Sequence, residues 1–133
     1  MSERFADTFV FLAMLNRRDE RHRAAIDALR GVRGHLVTTA WVVTELANGL
    51  SASESRSAFV RLERRLRTDS RVTIVPPDVP LYEAGLTLYR QRPDKNWSLT
   101  DCISFVVMRQ RGISEALTGD RHFEQAGFIA LLK

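Results

Sequence analysis

Short apolar strings and helical stripes alternate along the chain. Residues 4–7 read as a strand, and the apolar run through Phe11, Leu12 and Leu15 as the helix that follows it. Ala24, Ala25, Ala28 and Leu29 place a second helix over residues 20–30, stopped by Gly31. His35-Leu36-Val37-Thr38-Thr39 is the next strand. The helix after it starts near Ala40 and carries Val42, Val43, Leu46 and Leu50 as its stripe. A basic amphipathic helix spans 54–68, with Phe59, Leu62 and Leu66 inward. Val72-Thr73-Ile74-Val75 is a third strand, closed by Pro76-Pro77. A helix from 81 to about 91 ends before Pro93, and a polar turn leads to Ser98, a natural N-cap for an apolar helix over 99–110. Strands at 115–118 and 128–132 complete the chain, with one helical turn holding Phe123 between them. This alternation predicts an α/β fold: one domain over 1–133, with a central parallel sheet of about five strands flanked by helices. Such sheets build their sites at the carboxyl ends of strands.

Composition changes this picture little. The 133 residues suit a single domain with a modest core, and a 44% hydrophobic, 27% charged composition excludes a disordered chain. The one cysteine, Cys102, rules out an internal disulfide, suits a reducing compartment and lies in a string that reads as buried packing. No run approaches the ~20 apolar residues that span a bilayer. The first residues lack the order of a secretory signal. A cytoplasmic protein with no membrane role is the expectation. The net charge is +4, and every cation except Lys95 and Lys133 is arginine. Arginine suits phosphate and base stacking, while a GC-rich genome would produce the same bias without any function. On the basic helix, Arg61, Arg64 and Arg65 are the candidate nucleic-acid contacts, set against the plainer role of a solvated face.

The chemistry rests on four acids in apolar surroundings: Asp7, Glu45, Asp101 and Asp120. Each has an ordinary explanation. Asp7 and Asp120 can cap the helices after them, Asp101 can pair with Ser98 in a capping box, and Glu45 can point to solvent. Taken together, the acids fall at one edge of the expected sheet. Uncompensated carboxylates gathered there call for a cation. Hard oxygen donors favour Mg²⁺ or Mn²⁺, and the lone cysteine and scattered histidines offer no zinc spacing. Asp7, Asp101 and Asp120 are the expected metal ligands, directly or through water. Glu45 would complete the shell or orient the attacking water, making all four acids catalytic. Thr8, Ser98, Thr100 and Thr118 are placed to support the carboxylates or a phosphate. Metal-dependent phosphodiester chemistry is the reading that follows. A dinucleotide-binding glycine fingerprint and a phosphate-binding lysine loop are both missing from the sequence. An acyl-aspartate phosphatase would want an acid where Phe9 stands.

The same residues resemble the PIN-domain family of metal-dependent nucleases. The first family motif is matched by Asp7-Thr8 and the second by Thr44-Glu45. The third is matched by Ser98-Leu99-Thr100-Asp101-Cys102 and the last by Thr118-Gly119-Asp120-Arg121-His122-Phe123. The similarity runs in order from Phe5 to Leu131, and the compact form is most like the VapC-type toxins of bacterial toxin–antitoxin pairs. The resemblance implies RNA as substrate, a homodimer, and a cognate antitoxin covering the active site. The basic helix is then an alternative antitoxin contact, and the helices at 8–15 and 40–50 are candidate interfaces. One departure stands out: many relatives carry an acid where this chain has His122, expected here to be a surface or substrate contact. Asp94 and Glu124 are expected to be peripheral and His22 to pack or cap locally. A housekeeping RNA-processing nuclease and a non-cleaving RNA- or partner-binding module are the alternatives.

Overall fold

The apolar strings close into a sheet whose central residues, Phe5, Ala6, Val37, Ala116 and Leu117, are fully buried. The computed structural model describes residues 2–31 and 34–133. In chain order the elements are β1 (Glu3–Ala6), α1 (Thr8–Leu15), α2 (His22–Arg30), β2 (His35–Thr39), α3 (Ala40–Gly49) and α4 (Ser53–Thr68). They continue with β3 (Val72–Val75), α5 (Val79–Gln91), α6 (Leu99–Arg111), β4 (Glu115–Leu117), α7 (Arg121–Gln125) and β5 (Ile129–Ala130). The strand order is β3-β2-β1-β4-β5, with every pair parallel. From the central β1 the chain builds outward to β3, then crosses back to β4 on the other side. That reversal opens a crevice at the carboxyl ends of β1 and β4, where α/β sheets bind ligands.

Local chemistry explains most boundaries. β1 stops at Ala6, one residue earlier than expected, because Asp7 already serves as the N-cap position of α1. α5 begins two residues earlier than expected: Asp78 Oδ1 accepts the Leu81 N–H at 2.8 Å, and Pro80 is tolerated in a first turn that needs no donor. α6 ends at Gly112, whose φ of 69° lets its N–H turn back to the Arg109 and Met108 carbonyls. β5 is shorter than its apolar run. At the sheet edge only Ile129–Ala130 pairs as strand, although the Leu132 N–H still reaches the Thr118 carbonyl at 3.0 Å.

α6 carries the core between the sheet and α5. Cys102, Ile103, Phe105, Val107 and Met108 are all buried on it. Burial and the neighbouring Asp101 charge push the Cys102 thiol up to about 11, so it packs rather than reacts. The close approach of α5 depends on Gly85, where a Cβ would fall 2.3 Å from Ile103 Cγ1 and 3.2 Å from its Cα. Gly85→Ala is therefore expected to destabilise the fold by about 1–3 kcal/mol despite the better helix propensity of alanine, measured by urea unfolding. An unchanged or raised midpoint would mean that the two helices part without loss.

Candidate active site

Asp7 leaves β1 at the crevice and is only 6% exposed. Although it sits at the N-cap position of α1, its side chain makes no capping bond; its backbone carbonyl takes the Val10 N–H instead. The carboxylate is thereby free to face inward, where Thr118 Oγ1 donates to its Oδ2 at 3.0 Å. Burial, and then the nearby Asp101 charge, raise its pKa to about 7, with Glu45 adding to the rise. The Thr8 N–H and the Thr118 hydroxyl hold it lower than burial alone would. Near neutral pH this group is half-protonated.

Asp101 reaches the same crevice from the first turn of α6. Ser98 and Asp101 form the expected capping box: Ser98 Oγ accepts the Asp101 N–H at 3.0 Å, and Asp101 Oδ2 accepts the Ser98 N–H at 3.2 Å. Burial is the main cause that raises its pKa, with the Asp120 charge adding, against the stabilising Ser98 N–H and His122 ring. Asp120 follows β4 and caps α7, accepting the His122 N–H at 2.9 Å. Thr118 joins the two sides. Its oxygen accepts the Asp120 N–H at 3.1 Å while its proton goes to Asp7. Glu45 stands on the exposed side of α3, and Thr8 Oγ1 donates to its Oε1 at 2.7 Å. Capping and clustering thus coexist in Asp101 and Asp120, while Asp7 is spared from capping altogether.

Of the four supporting residues, Thr8, Ser98 and Thr118 each bond a carboxylate. Thr100 does not among the described residues; its carbonyl takes the Ser104 hydroxyl at 2.9 Å. It lines a hollow of about 380 Å³ beside Glu45, with Trp41, Thr44, Asn48 and Pro77. Asp94 and Glu124 are peripheral, paired with Arg92 at 2.9 Å and Lys133 at 2.9 Å. His22 packs locally, its Nδ1 2.9 Å from the Ala13 carbonyl.

His122 is the residue that sequence reasoning underrated. Its side chain is 21% exposed, and its Nδ1 lies 3.0 Å from Asp101 Oδ2 and 3.5 Å from Asp120 Oδ1. The one available signal was its place two residues after Asp120. Ligand atoms of Asp101, Asp120 and His122 all lie within 4.8 Å of one another. Two carboxylates and an imidazole, with Asp7 alongside, fit a divalent cation chemically. Such an ion would offset the burial, and the smaller mutual repulsion, that raise Asp7 and Asp101.

The candidate arginines lie elsewhere. Arg61, Arg64 and Arg65 are exposed on α4, whose last turns approach the amino ends of β2 and β3. There Arg65, Leu62 and Leu66 line an apolar cavity of about 330 Å³ with Leu36 and Val72. The acids occupy the opposite, carboxyl end of the sheet.

Comparison with known proteins agrees with this geometry. The PIN domain model matches residues 4–129. The chain is 29% identical over 131 residues to the 23S rRNA-specific endonuclease VapC20 of Mycobacterium tuberculosis, covering 94% of this chain and 95% of that protein. The crystal structure of VapC20, described as a sarcin–ricin loop cleaving toxin, matches with a TM-score of 0.86 at 27% identity, covering 96% of this chain and 97% of that one. VapBC2 from Rickettsia felis, bound to a promoter DNA fragment, shares the fold at a TM-score of 0.67 and 14% identity, over 96% of each chain. With the motifs in order from β1 to α7 and the family model spanning nearly every element, the chain belongs to the PIN domain family.

Proposed function

We propose that this protein is a divalent-metal-dependent endoribonuclease that acts as the toxin of a toxin–antitoxin pair. The observation that carries the reading is the gathering of Asp101, Asp120 and His122 within 4.8 Å of one another, with Asp7 joined to the Asp120 turn through the Thr118 hydroxyl. Whole-length likeness to VapC20 supports RNA as the substrate, and a ribosomal RNA loop as the first to try. Asp7, Asp101 and Asp120 would hold Mg²⁺ or Mn²⁺, with His122 beside them. When bound, the ion supplies an acidified water and neutralises charge on the phosphate. Glu45, held by the Thr8 hydroxyl, orients that water; Thr118 keeps Asp7 and Asp120 in register; Ser98 fixes Asp101. His122 holds Asp101 through Nδ1.

A cognate antitoxin and a homodimer belong to the same proposal, as does a cytoplasmic place of action, where ribosomal RNA lies. No helix among the described residues is long and apolar enough to cross a membrane. The test is cleavage of a labelled hairpin carrying the sarcin–ricin loop sequence, beside unrelated structured RNAs, with Mg²⁺, Mn²⁺ or chelator. Cutting that needs the ion, disappears with chelator and returns on adding metal is the expected result. Equal cutting in chelator would overturn the metal assignment, and no cutting of any RNA would overturn the nuclease.

A further inference from the structure

At the corner between α5 and the first turn of α6 lies a second hollow of about 520 Å³. Its walls include Tyr89, Arg90, Arg92, Lys95, Trp97 and Cys102. Three cations meet here, and Asp94 is the single carboxylate in the segment 89–97. Asp94 is spent on Arg92, at 2.9 Å, and Arg92 also lies over the Trp97 ring at 5.3 Å. Among the described residues, neither Arg90 nor Lys95 makes an ion pair, and Lys95 is one of only two lysines in the chain. Tyr89 is 48% exposed, while Trp97 is buried, edge-on to Phe105 and tied by its Nε1–H to Gln125 Oε1 at 3.0 Å. The corner therefore sets an open aromatic ring and two cations without an ion-pair partner over a buried tryptophan.

Its position ties it to the site. Asp101 has Thr100 and Cys102 as neighbours on α6; Thr100 lines the hollow beside Glu45, and Cys102 lines this one. The first turn of α6 thus lends a residue to each hollow, one with the Glu45 carboxylate in its wall and one with three cations. The α4 arginines, by contrast, gather toward the amino end of the sheet.

We infer that the α5–α6 corner is a nucleotide subsite for the single-stranded RNA that flanks the scissile phosphate, with Arg90 and Lys95 holding backbone phosphates and Tyr89 stacking on one base. This rests on the nuclease reading and adds where the strand runs: from the hollow at Glu45, across the acids, into the cationic corner. Phosphate contacts supply affinity, and an aromatic face accepts any base. The volume falls within the range of ordinary ligand sites.

The test uses the full chain and the sarcin–ricin hairpin. Binding is measured by fluorescence anisotropy in an Asp7→Asn background, so that it is read apart from cutting. Arg90→Ala with Lys95→Ala is expected to weaken binding roughly 10- to 100-fold. The salt slope should fall by about 1.4, two phosphates at roughly 0.7 each on a single strand. Arg67→Ala, which removes a single exposed cation from the last turn of α4, serves as the distant control and should leave both nearly unchanged. Tyr89→Ala is expected to cost about tenfold and Tyr89→Phe almost nothing. With Asp7 restored, the double variant should raise KM and leave kcat within about twofold. A double variant that binds with wild-type affinity and slope while the wild type still cuts overturns the subsite and leaves the nuclease standing. So does a larger loss from Arg67→Ala. A wild-type chain that neither binds nor cuts overturns both.

Discussion

Asp7→Asn is expected to abolish cleavage while making the metal-free protein more stable at pH 8. The loss of activity should be about 10²–10³-fold or more, the scale seen when a group that stabilises charge at the reacting centre is removed. The gain in stability follows from burial. Unfolded, Asp7 titrates at its ordinary 3.8; folded, at about 7. Between those values the folded state keeps a proton that the unfolded state has lost, so stability falls as pH rises. The contribution is fully present below about pH 4 and is lost as pH passes through about 7. A shift of that size corresponds to at most about 4 kcal/mol. Asparagine stays neutral at every pH and can still accept the Thr118 hydroxyl. Thermal melts in chelator should show the wild type weakening between pH 5 and pH 8 and the variant holding level. Added Mg²⁺ or Mn²⁺ should restore the wild type more at pH 8 than at pH 5, because ion and proton compete for the same carboxylates. A variant that melts below the wild type at pH 8 would show that Asp7 ionisation is not the strain that burial implies.

Phe105→Ala is expected to destabilise the fold by about 3–5 kcal/mol, a large share of what a domain of this size holds in reserve. Phe105 is fully buried on α6, edge-on to Trp97 at 5.0 Å and to Phe123 at 4.9 Å. Those rings join the turn before Asp101 to the helix that follows Asp120, and Phe123 lies in turn against Phe5 on β1 at 6.2 Å. The aromatic stack is thus what brings three acids from distant parts of the chain to one crevice. The alanine cavity should loosen that convergence as well as the fold. Phe105→Leu, which keeps most of the volume, should recover most of the stability, and its remaining activity reports how far the carboxylates depend on the ring contacts. The measurement is urea unfolding of all three proteins, with cleavage assayed well below the transition. If Phe105→Ala costs less than about 1 kcal/mol, the core has collapsed around the loss and the stack is not what holds α6 and α7 together.

Much of this molecule was legible in the sequence, because much of it is local. Helix starts are written in Ser98 and Asp120, whose side chains take the first N–H groups of their helices; helix and strand faces are written in apolar spacing. The four acids stood out because a carboxylate in apolar surroundings is costly wherever it lies. Their order and spacing carried the family resemblance over nearly the whole chain. Distance in sequence hid the rest. Whether Asp7 would cap α1 or face inward was settled by Thr118, 111 residues away, which offers its hydroxyl to the carboxylate. The raised pKa of Asp7 depends on how much water the packed core excludes and on the Asp101 charge, and neither is a property of the string Phe5-Ala6-Asp7-Thr8. The sequence held no sign of the partner His122 would find: its ring meets Asp101 only once α6 and α7 pack on Phe105 and Phe123. The arginines divided in the same way. Composition told of a basic chain, but only the fold divided its cations between α4, which runs toward the amino end of β3, and the hollow at the α5–α6 corner. Residue chemistry and periodicity by themselves determined the elements and the kind of site. Tertiary packing alone decided which side chains share a dielectric, a proton or a hydrogen bond, because those quantities depend on separation in space and not along the chain.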